Sequence, residues 1–365
     1  MTIYILAYTF MLVLAIYSIK HNINKKMFCI IIFIMWAAII GLRHPTMGRD
    51  LVYGSSNGYW GMYKVIGKSS WQKVFQDEFL NYEQGYVIFN KVIYTFFHDP
   101  QFLLIISAVI AIAAIMWLIY KYSKAPLLSA IVYLSLPVFL INFSGLRQAI
   151  SVAITIYSFR FIKEKKLIPF IVVVLLANWF HSSAIVFLSA YPIYHIKTQK
   201  SILKLGSVLL LPIVFVFRAP LFNLLASILG ENNTGIQTNA FMLYAFFVLI
   251  YIFCLLFEDR ENREQIGYRN LFYAACICQA FSSVSNVAMR VGYYFMIYLV
   301  LLFPEVILTK NDQKLEMQKG KTTVKSYNDA IIMYIAVVVF FTCWGLYSLS
   351  NSTWAETNPH SFFWQ

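Results

Sequence analysis

Four arginines are the residues of this sequence best suited to bind an anion, because each lies near the start or end of an apolar run. They are Arg43, Arg49, Arg147 and Arg290. A guanidinium group binds phosphate or pyrophosphate bidentately, through parallel N–H donors. Four such groups would suit a phosphate-bearing lipid. Arg147 and Arg290 could instead simply extend toward lipid headgroups, as arginines at a membrane surface often do.

Three other side chains could take a proton from an attacking hydroxyl group. His181, Glu83 and Asp50 are the candidates, since histidine and carboxylates are the usual general bases. Each also has a structural explanation. His181 could be a buried histidine or part of a helix cap beside Ser182 and Ser183, and either carboxylate could belong to an ion pair. The sequence alone does not choose among the three.

Several other chemistries lose support because their motifs are absent from the sequence. There is no Asp-x-Asp metal motif, Walker loop, Gly-x-Ser-x-Gly or His-Glu-x-x-His. The five cysteines all lie inside apolar runs, which favours packing roles over disulfides or zinc ligands. We therefore predict no metal site and no cofactor.

The composition determines what kind of element must position these residues. Hydrophobic residues make up 60% of the chain, charged residues only 12%, and the mean hydropathy is +0.67. Apolar runs of about 17 to 24 residues recur, and within a bilayer only a helix satisfies its own backbone groups. The predicted fold class is therefore an all-α polytopic membrane protein. The net charge of +13 comes from basic residues between the runs, which indicates topology rather than nucleic-acid binding.

The positions of lysine and arginine predict how the chain crosses the membrane. They favour an outer N-terminus and about ten crossings, within a single integral-membrane domain covering 1–365. Residues 167–194 form two short apolar pieces around His181, predicted as a re-entrant hairpin; two crossings there would raise the count to twelve. Residues 43–100 are predicted as a long extracytoplasmic loop with an amphipathic or re-entrant helix at 86–97, and 310–327 as a cytoplasmic linker.

A polar stripe marks one predicted helix after the fourth apolar run. Its members recur at helical spacing and are Ser144, Arg147, Gln148, Ser151, Thr155 and Ser158. Such a stripe must face protein or water, because polar groups facing lipid are costly. On the predicted topology, all four arginines and all three candidate bases lie toward the outer leaflet.

Short motifs in a fixed order resemble the EpsG family of bacterial exopolysaccharide polymerases, relatives of the Wzy-type O-antigen polymerases. They are Gly41-Leu42-Arg43 followed by Gly48-Arg49-Asp50, Glu83 with Gly85-Tyr86, Arg147-Gln148-Ala149, Phe180-His181-Ser182-Ser183, and Arg290 with Tyr293-Tyr294. The resemblance covers nearly the whole chain. The chain departs from the family pattern after Gly48, where it has Arg49-Asp50-Leu51.

The resemblance implies a metal-independent membrane glycosyltransferase whose arginines stabilise a leaving pyrophosphate. Arg147 and Arg290 are the expected clamp, and Arg43 or Arg49 would assist them. Gln148 and Tyr294 would also bind the pyrophosphate or the glycan. The general base would be Glu83, Asp50 or His181, with the choice left open.

The resemblance also implies the substrate and its surroundings. The enzyme would join undecaprenyl-pyrophosphate-linked oligosaccharide repeat units into exopolysaccharide or capsule. It would sit in the bacterial cytoplasmic membrane with its active site outside. Expected partners are the lipid-linked oligosaccharide, membrane lipids, and a chain-length regulator and flippase of the same pathway, with no nucleic acid.

Three alternative functions compete with polymerisation. A lipid-linked oligosaccharide flippase would also need buried arginines, although it should carry charge through the full depth of the membrane. A membrane acyltransferase would use His181 as its base and would need the arginines less. An O-antigen-type ligase differs from the polymerase only in its acceptor.

Overall fold

The computed structural model describes residues 1–76, 79, 82–198, 200–229, 240–259, 261–317, 324–352 and 355–365. In this part of the chain every regular element is a helix. The first ten α-helices are α1 (Thr2–His21), α2 (Lys25–Gly41), α3 (Tyr59–Lys68), α4 (Trp71–Phe75), α5 (Gln84–Phe96), α6 (Gln101–Tyr122), α7 (Pro126–Ser135), α8 (Pro137–Leu140), α9 (Leu146–Lys163) and α10 (Leu167–Phe180).

The remaining α-helices are α11 (Ala190–His195), α12 (Ser201–Val216), α13 (Arg218–Leu229), α14 (Ala240–Phe257), α15 (Arg263–Ala280), α16 (Asn286–Met296), α17 (Leu299–Met317) and α18 (Val324–Asn351). Two 3-10 segments, Arg49–Leu51 and Ser182–Ser189, lie between them.

Several helices have the length and composition of membrane spans. Within the described residues three qualify: α1, α6 and the part of α18 from Ile332 to Asn351. Two bent pairs raise the number to five if each is one span: α12 with α13, bent by 78°, and α16 with α17, bent by 43°. The all-helical membrane class is thus confirmed. The count of ten to twelve crossings stays a prediction, because many apolar helices here are short or bent.

Residues 43–100 contain more helix than a loop would, since α3, α4 and α5 all lie within them. The segment 86–97, predicted as an amphipathic helix, corresponds to α5. Tyr86, Asn90 and Ile93 lie buried on one face of α5, whereas Val92 and Phe96 are exposed. This spacing is that of a helix with one face against protein. The side of the membrane on which these residues lie stays a prediction.

The predicted break at His181 is confirmed, because α10 ends at Phe180 and a 3-10 segment begins at Ser182. The 14 residues of α10 reach about 21 Å, which is less than the roughly 30 Å of a hydrocarbon core. Whether 167–194 forms a re-entrant hairpin or two crossings stays a prediction. The predicted linker 310–327 comprises the end of α17, the start of α18 and residues 318–323, which lie outside the described residues.

The chain divides into two compact units, and the single integral-membrane domain covering 1–365 stays a prediction. The first unit consists of Met1–Ile185 and Val338–Gln365, and the second of Val186–Val337. In the first unit α2 packs along α6, and α9 lies against both α6 and α10. Gly41 permits the contact between α2 and α6, since a Cβ atom there would lie 3.1 Å from the Ile105 Cα. α9 is therefore held by helices on two sides.

Residues 355–365 pack back onto the beginning of the first unit. Phe362 forms an isolated antiparallel bridge with Arg43, and the His44 amide donates to the Ser361 carbonyl at 2.8 Å. The Tyr4 hydroxyl donates to the Thr357 carbonyl at 2.9 Å. This segment, which we call the C-terminal strap, fixes α1 and the end of α2.

The second unit is arranged around α15, which packs against α11, α12, α14, α16 and α17. A buried ion cluster lies among these helices. The Glu258 carboxylate is 2.5 Å from the Lys204 Nζ and 3.0 Å from the Arg269 Nε. Because a buried charge without a partner is costly, these three residues stabilise one another.

Candidate active site

The polar stripe of the sequence lies on α9 and faces protein, as expected. Its members Ser151, Thr155 and Ser158 are all buried. The Ser151 hydroxyl donates to the Ala177 carbonyl of α10 at 2.9 Å and so joins the two helices. Arg147 lies in the first turn of α9, two residues after Gly145.

His181 is positioned by the end of α10. Its backbone is extended, with φ −158° and ψ 120°, and its amide donates to the Ala177 carbonyl at 3.1 Å. Because Ser151 binds that same carbonyl, the end of α10 is tied to α9. The imidazole therefore extends from a fixed point near the start of α9.

Glu83 immediately precedes α5 and occupies the position of its N-cap. The start of α5 comes very close to the end of α10 at Gly85. A Cβ atom on Gly85 would lie 2.6 Å from the Trp179 carbonyl oxygen, so only glycine fits without a shift. Gly85 thus allows the Glu83 carboxylate to reach the beginning of α9 and His181 together.

The Glu83 carboxylate connects the three elements in one cluster. Its Oε2 lies 2.6 Å from an Arg147 terminal nitrogen, and its Oε1 lies 2.8 Å from the His181 Nδ1. The Ser182 amide also donates to Oε1, at 3.1 Å. The three side chains are 14% to 23% exposed, so they are sheltered but reachable from solvent. The structure thus brings three of the predicted site residues into direct contact.

These neighbours determine the charge of Glu83. Burial by itself raises the pKa of the Glu83 carboxyl, but the hydrogen bond with His181, the Arg147 charge and the Ser182 amide together lower it to about 2. Glu83 is therefore ionised at neutral pH. A carboxyl group of such low pKa is a weak base, which argues against Glu83 as the residue that takes the proton.

Two tyrosines that sequence reasoning missed surround Arg147. The Arg147 Nε donates to the Tyr59 hydroxyl at 3.2 Å, and its guanidinium carbon lies 4.8 Å from the centre of the Tyr82 ring. Such ring contacts favour a cation over the aromatic face. No signal in the sequence distinguishes these two from the other tyrosines, of which the chain has 25 in all.

Arg43 has a different environment from the one its charge suggested. Its side chain is 0% exposed, and it donates to the carbonyls of Ile40, Met47 and Phe143 at 2.6, 3.3 and 2.9 Å. A guanidinium enclosed by backbone oxygens is not presented to a substrate. We therefore assign Arg43 a structural role in place of the expected binding role.

The neighbours of Arg43 in sequence occupy a turn that packs on the residues before α9. Gly48 has a φ of +110°, and a Cβ atom there would lie 2.0 Å from the Phe143 carbonyl oxygen. The Asp50 amide donates to the Ser144 hydroxyl at 3.1 Å. The pKa of Tyr82 is raised by burial, by Tyr59 and by the charge of Asp50, so Asp50 lies near the cluster.

The other predicted binding residues lie in three settings. Arg49 is exposed in the same turn, and Gln148 is buried beside Arg147 on α9. Arg290 and Tyr294 belong to the second unit and lie on α16. Tyr294 is fully buried there, with its ring 6.4 Å from that of Phe187.

Comparison with known families decides what kind of protein carries this cluster. The family model described as the EpsG family matches residues 25–361 of the 365. The chain belongs to the EpsG family. No curated protein and no solved structure matches it. Membership in the EpsG family indicates a membrane enzyme with a role of the exopolysaccharide polymerase type, which confirms the resemblance carried by the short motifs.

The arrangement of Glu83 favours one tautomer of the neutral His181 imidazole in this EpsG member. An ionised carboxylate can only accept, so the His181 Nδ1 must be the donor in the 2.8 Å contact. In the neutral imidazole the lone pair then lies on Nε2, where it can accept a proton. The same carboxylate orients the imidazole, as in a hydrolase triad. Across the residues with described positions, no group of three metal-ligating side chains occurs.

Proposed function

We propose that this EpsG-family chain polymerises undecaprenyl-pyrophosphate-linked oligosaccharide repeat units by glycosyl transfer, on the outer face of the bacterial cytoplasmic membrane. The product would be an exopolysaccharide or capsule. The observation that carries the proposal is the cluster in which Glu83 binds Arg147 through one oxygen and His181 through the other. It combines a base, its orienting carboxylate and a cation within one sheltered site.

In the proposed reaction the acceptor hydroxyl attacks the anomeric carbon of the lipid-linked donor. The His181 Nε2 takes the hydroxyl proton as the new C–O bond forms. The bond from the anomeric carbon to the pyrophosphate breaks, and its electron pair goes to the leaving phosphate oxygen. Arg147 stabilises that developing charge. Glu83 keeps the imidazole oriented and stabilises its charged form.

The remaining candidates have secondary parts in the proposal. Arg290 of α16 would bind lipid pyrophosphate. Asp50 is retained as a group near the acceptor, since its charge is felt at Tyr82. Arg49 and Gln148 would contact glycan. The partners proposed are the lipid-linked oligosaccharide, a chain-length regulator and a flippase.

The proposal is tested with purified protein in liposomes that contain lipid-linked repeat units. We expect a ladder of longer glycans together with released undecaprenyl pyrophosphate. The reaction is run in EDTA, because the proposed clamp uses guanidinium groups in place of a metal. Translocation of the repeat unit without elongation would support a flippase instead. Transfer to a different acceptor with no ladder would support a ligase.

The outward orientation needs a separate test in whole cells. Thr46 is exposed beside the Gly48 turn, and Lys165 is exposed between α9 and α10. In a background without native cysteines, Thr46→Cys should react with a membrane-impermeant maleimide applied outside, and Lys165→Cys should react only after lysis. The opposite pattern would place the proposed site inside the cell.

A further inference from the structure

A row of three aromatic rings leads away from the Glu83 cluster within the first unit. The Tyr53 ring centre lies 5.6 Å from that of His44 and 5.5 Å from that of Trp60. Trp60 follows Tyr59, whose hydroxyl accepts from Arg147. We call His44, Tyr53 and Trp60 the aromatic platform. It therefore begins one residue from a direct contact of the cluster.

The platform is open to solvent at its middle. Tyr53 is 53% exposed, and His44 and Trp60 are partly exposed. The segment between Tyr53 and Tyr59 carries short polar side chains, Ser55, Ser56 and Asn57. Ser56 and Asn57 are exposed, so small hydrogen-bonding groups follow the middle ring closely along the chain.

The surrounding backbone holds these rings in place. A Cβ atom on Gly58 would lie 2.3 Å from the Leu51 carbonyl oxygen, and one on Gly61 would lie 2.1 Å from that of Ser55. The two glycines therefore allow backbone contacts that no other residue permits, and the segment folds tightly on itself. On the other side, the His44 Nδ1 lies 2.8 Å from the Thr46 hydroxyl, which orients its ring. A prearranged surface loses little conformational entropy when it binds.

We propose that the aromatic platform binds the saccharide chain beside the Glu83 cluster. The C–H face of a pyranose ring carries partial positive charge and packs on the electron-rich face of an aromatic ring. Its hydroxyl groups need nearby donors and acceptors, which Ser55, Ser56 and Asn57 offer. A lipid chain would use the rings but leave these polar groups unpaired, so the mixture favours a glycan over the bilayer interface.

This inference rests on the proposed function, because it takes the glycan of that reaction as the ligand. Its consequence is that a growing chain stays bound between successive additions. Loss of one ring should weaken binding of the saccharide about five- to tenfold. The polymer should then become shorter, while each single addition at saturating substrate keeps its rate.

The test compares Tyr53→Ala and Tyr53→Phe with a matched control, Trp71→Ala. Trp71 is a similarly exposed aromatic residue, at 41%, outside the platform. The probe is a set of oligosaccharides prepared by mild acid from the polymer that the producing strain makes. Its binding to the full chain in nanodiscs is measured by saturation-transfer NMR and titration, alongside polymer length. We expect weaker binding and shorter polymer for Tyr53→Ala only, with Tyr53→Phe near wild type.

The other outcomes distinguish a failure of the platform proposal from a failure of the proposed function. Wild-type binding by Tyr53→Ala, or an equal loss in Trp71→Ala, overturns the platform and leaves polymerisation untouched. A change in Tyr53→Ala confined to lipid or detergent association also overturns it, in favour of an interface role. The protein could also bind the oligosaccharides through Tyr53 and yet make no polymer. That result would support the platform and overturn the proposed function.

Discussion

Glu83→Gln is the substitution that examines the candidate site most directly. The carboxylate accepts from Arg147 at 2.6 Å, from His181 at 2.8 Å and from the Ser182 amide at 3.1 Å. Glutamine has one acceptor oxygen and a donating amide group. At least one of the two side-chain partners must therefore lose its acceptor. Where the new amide group faces His181, the imidazole would no longer be held with Nδ1 as donor.

The size of the effect follows from burial and from the role of the carboxylate. Removing one member of a fully buried ion pair costs about 3–5 kcal/mol, whereas an exposed pair is worth about 0–1 kcal/mol. The Glu83 side chain is 19% exposed, so we expect a loss of about 2 kcal/mol in the free energy of unfolding. Loss of the oriented base should lower the rate of glycosyl transfer by about 10² to 10⁴.

The assay is the initial rate of undecaprenyl pyrophosphate release in liposomes, normalised to the folded fraction from tryptophan fluorescence. Glu164→Gln is the matched control, because Glu164 forms an exposed ion pair with Lys166 at 2.8 Å and lies away from the cluster. If Glu83 acts through His181, then adding His181→Asn to Glu83→Gln should slow the reaction little further. A Glu83→Gln rate within about threefold of wild type would refute this reasoning.

Three further predictions concern the same unit or its matched controls. Gly85→Ala should reduce activity and lower the free energy of unfolding by about 1–3 kcal/mol, measured by thermal unfolding. Gly206→Ala should not destabilise the protein, because no neighbouring atom of the described residues lies within 4 Å of the added Cβ atom. Arg147→Lys should abolish elongation while the protein still inserts and folds, because lysine lacks the guanidinium group that contacts both Glu83 and Tyr59. Arg43→Lys should instead lower the unfolding temperature. Folding lowers the pKa of Glu83 from 4.5 to about 2, so its stabilising contribution is complete above pH 4.5 and lost as the pH falls toward 2. Acid unfolding in detergent should therefore be less steep for Glu83→Gln than for wild type.

Local pattern predicted the parts of the site that lie within single helices. The stripe on α9, the break at His181 and the helix at 86–97 all follow from spacing along the chain, which the helix period converts directly into faces. The hydrophobic composition of the chain likewise predicted the all-helical membrane class. The positions of the short motifs then led to the EpsG family.

The sequence pattern could not predict contacts between residues that are far apart in sequence. Arg43 looked like a binding residue because it is a charge at the end of an apolar run. The carbonyl of Phe143 that accepts from it lies 100 residues away in sequence. Tyr59 similarly meets Arg147 across 88 residues. Such pairings depend on which parts of the chain pack around the start of α9, which no local spacing reveals.

The C-terminal strap has a consequence for how the protein is made. It joins Thr357 to Tyr4, 353 residues apart in sequence, so the contact closes a very long loop. Closing a loop of that length is entropically unfavourable and slow, and domains normally fold in the order of synthesis. Here the second unit leaves the ribosome before the first is complete. The turn that carries Arg43 therefore gains its bridge partner, Phe362, only after the second unit has been synthesised.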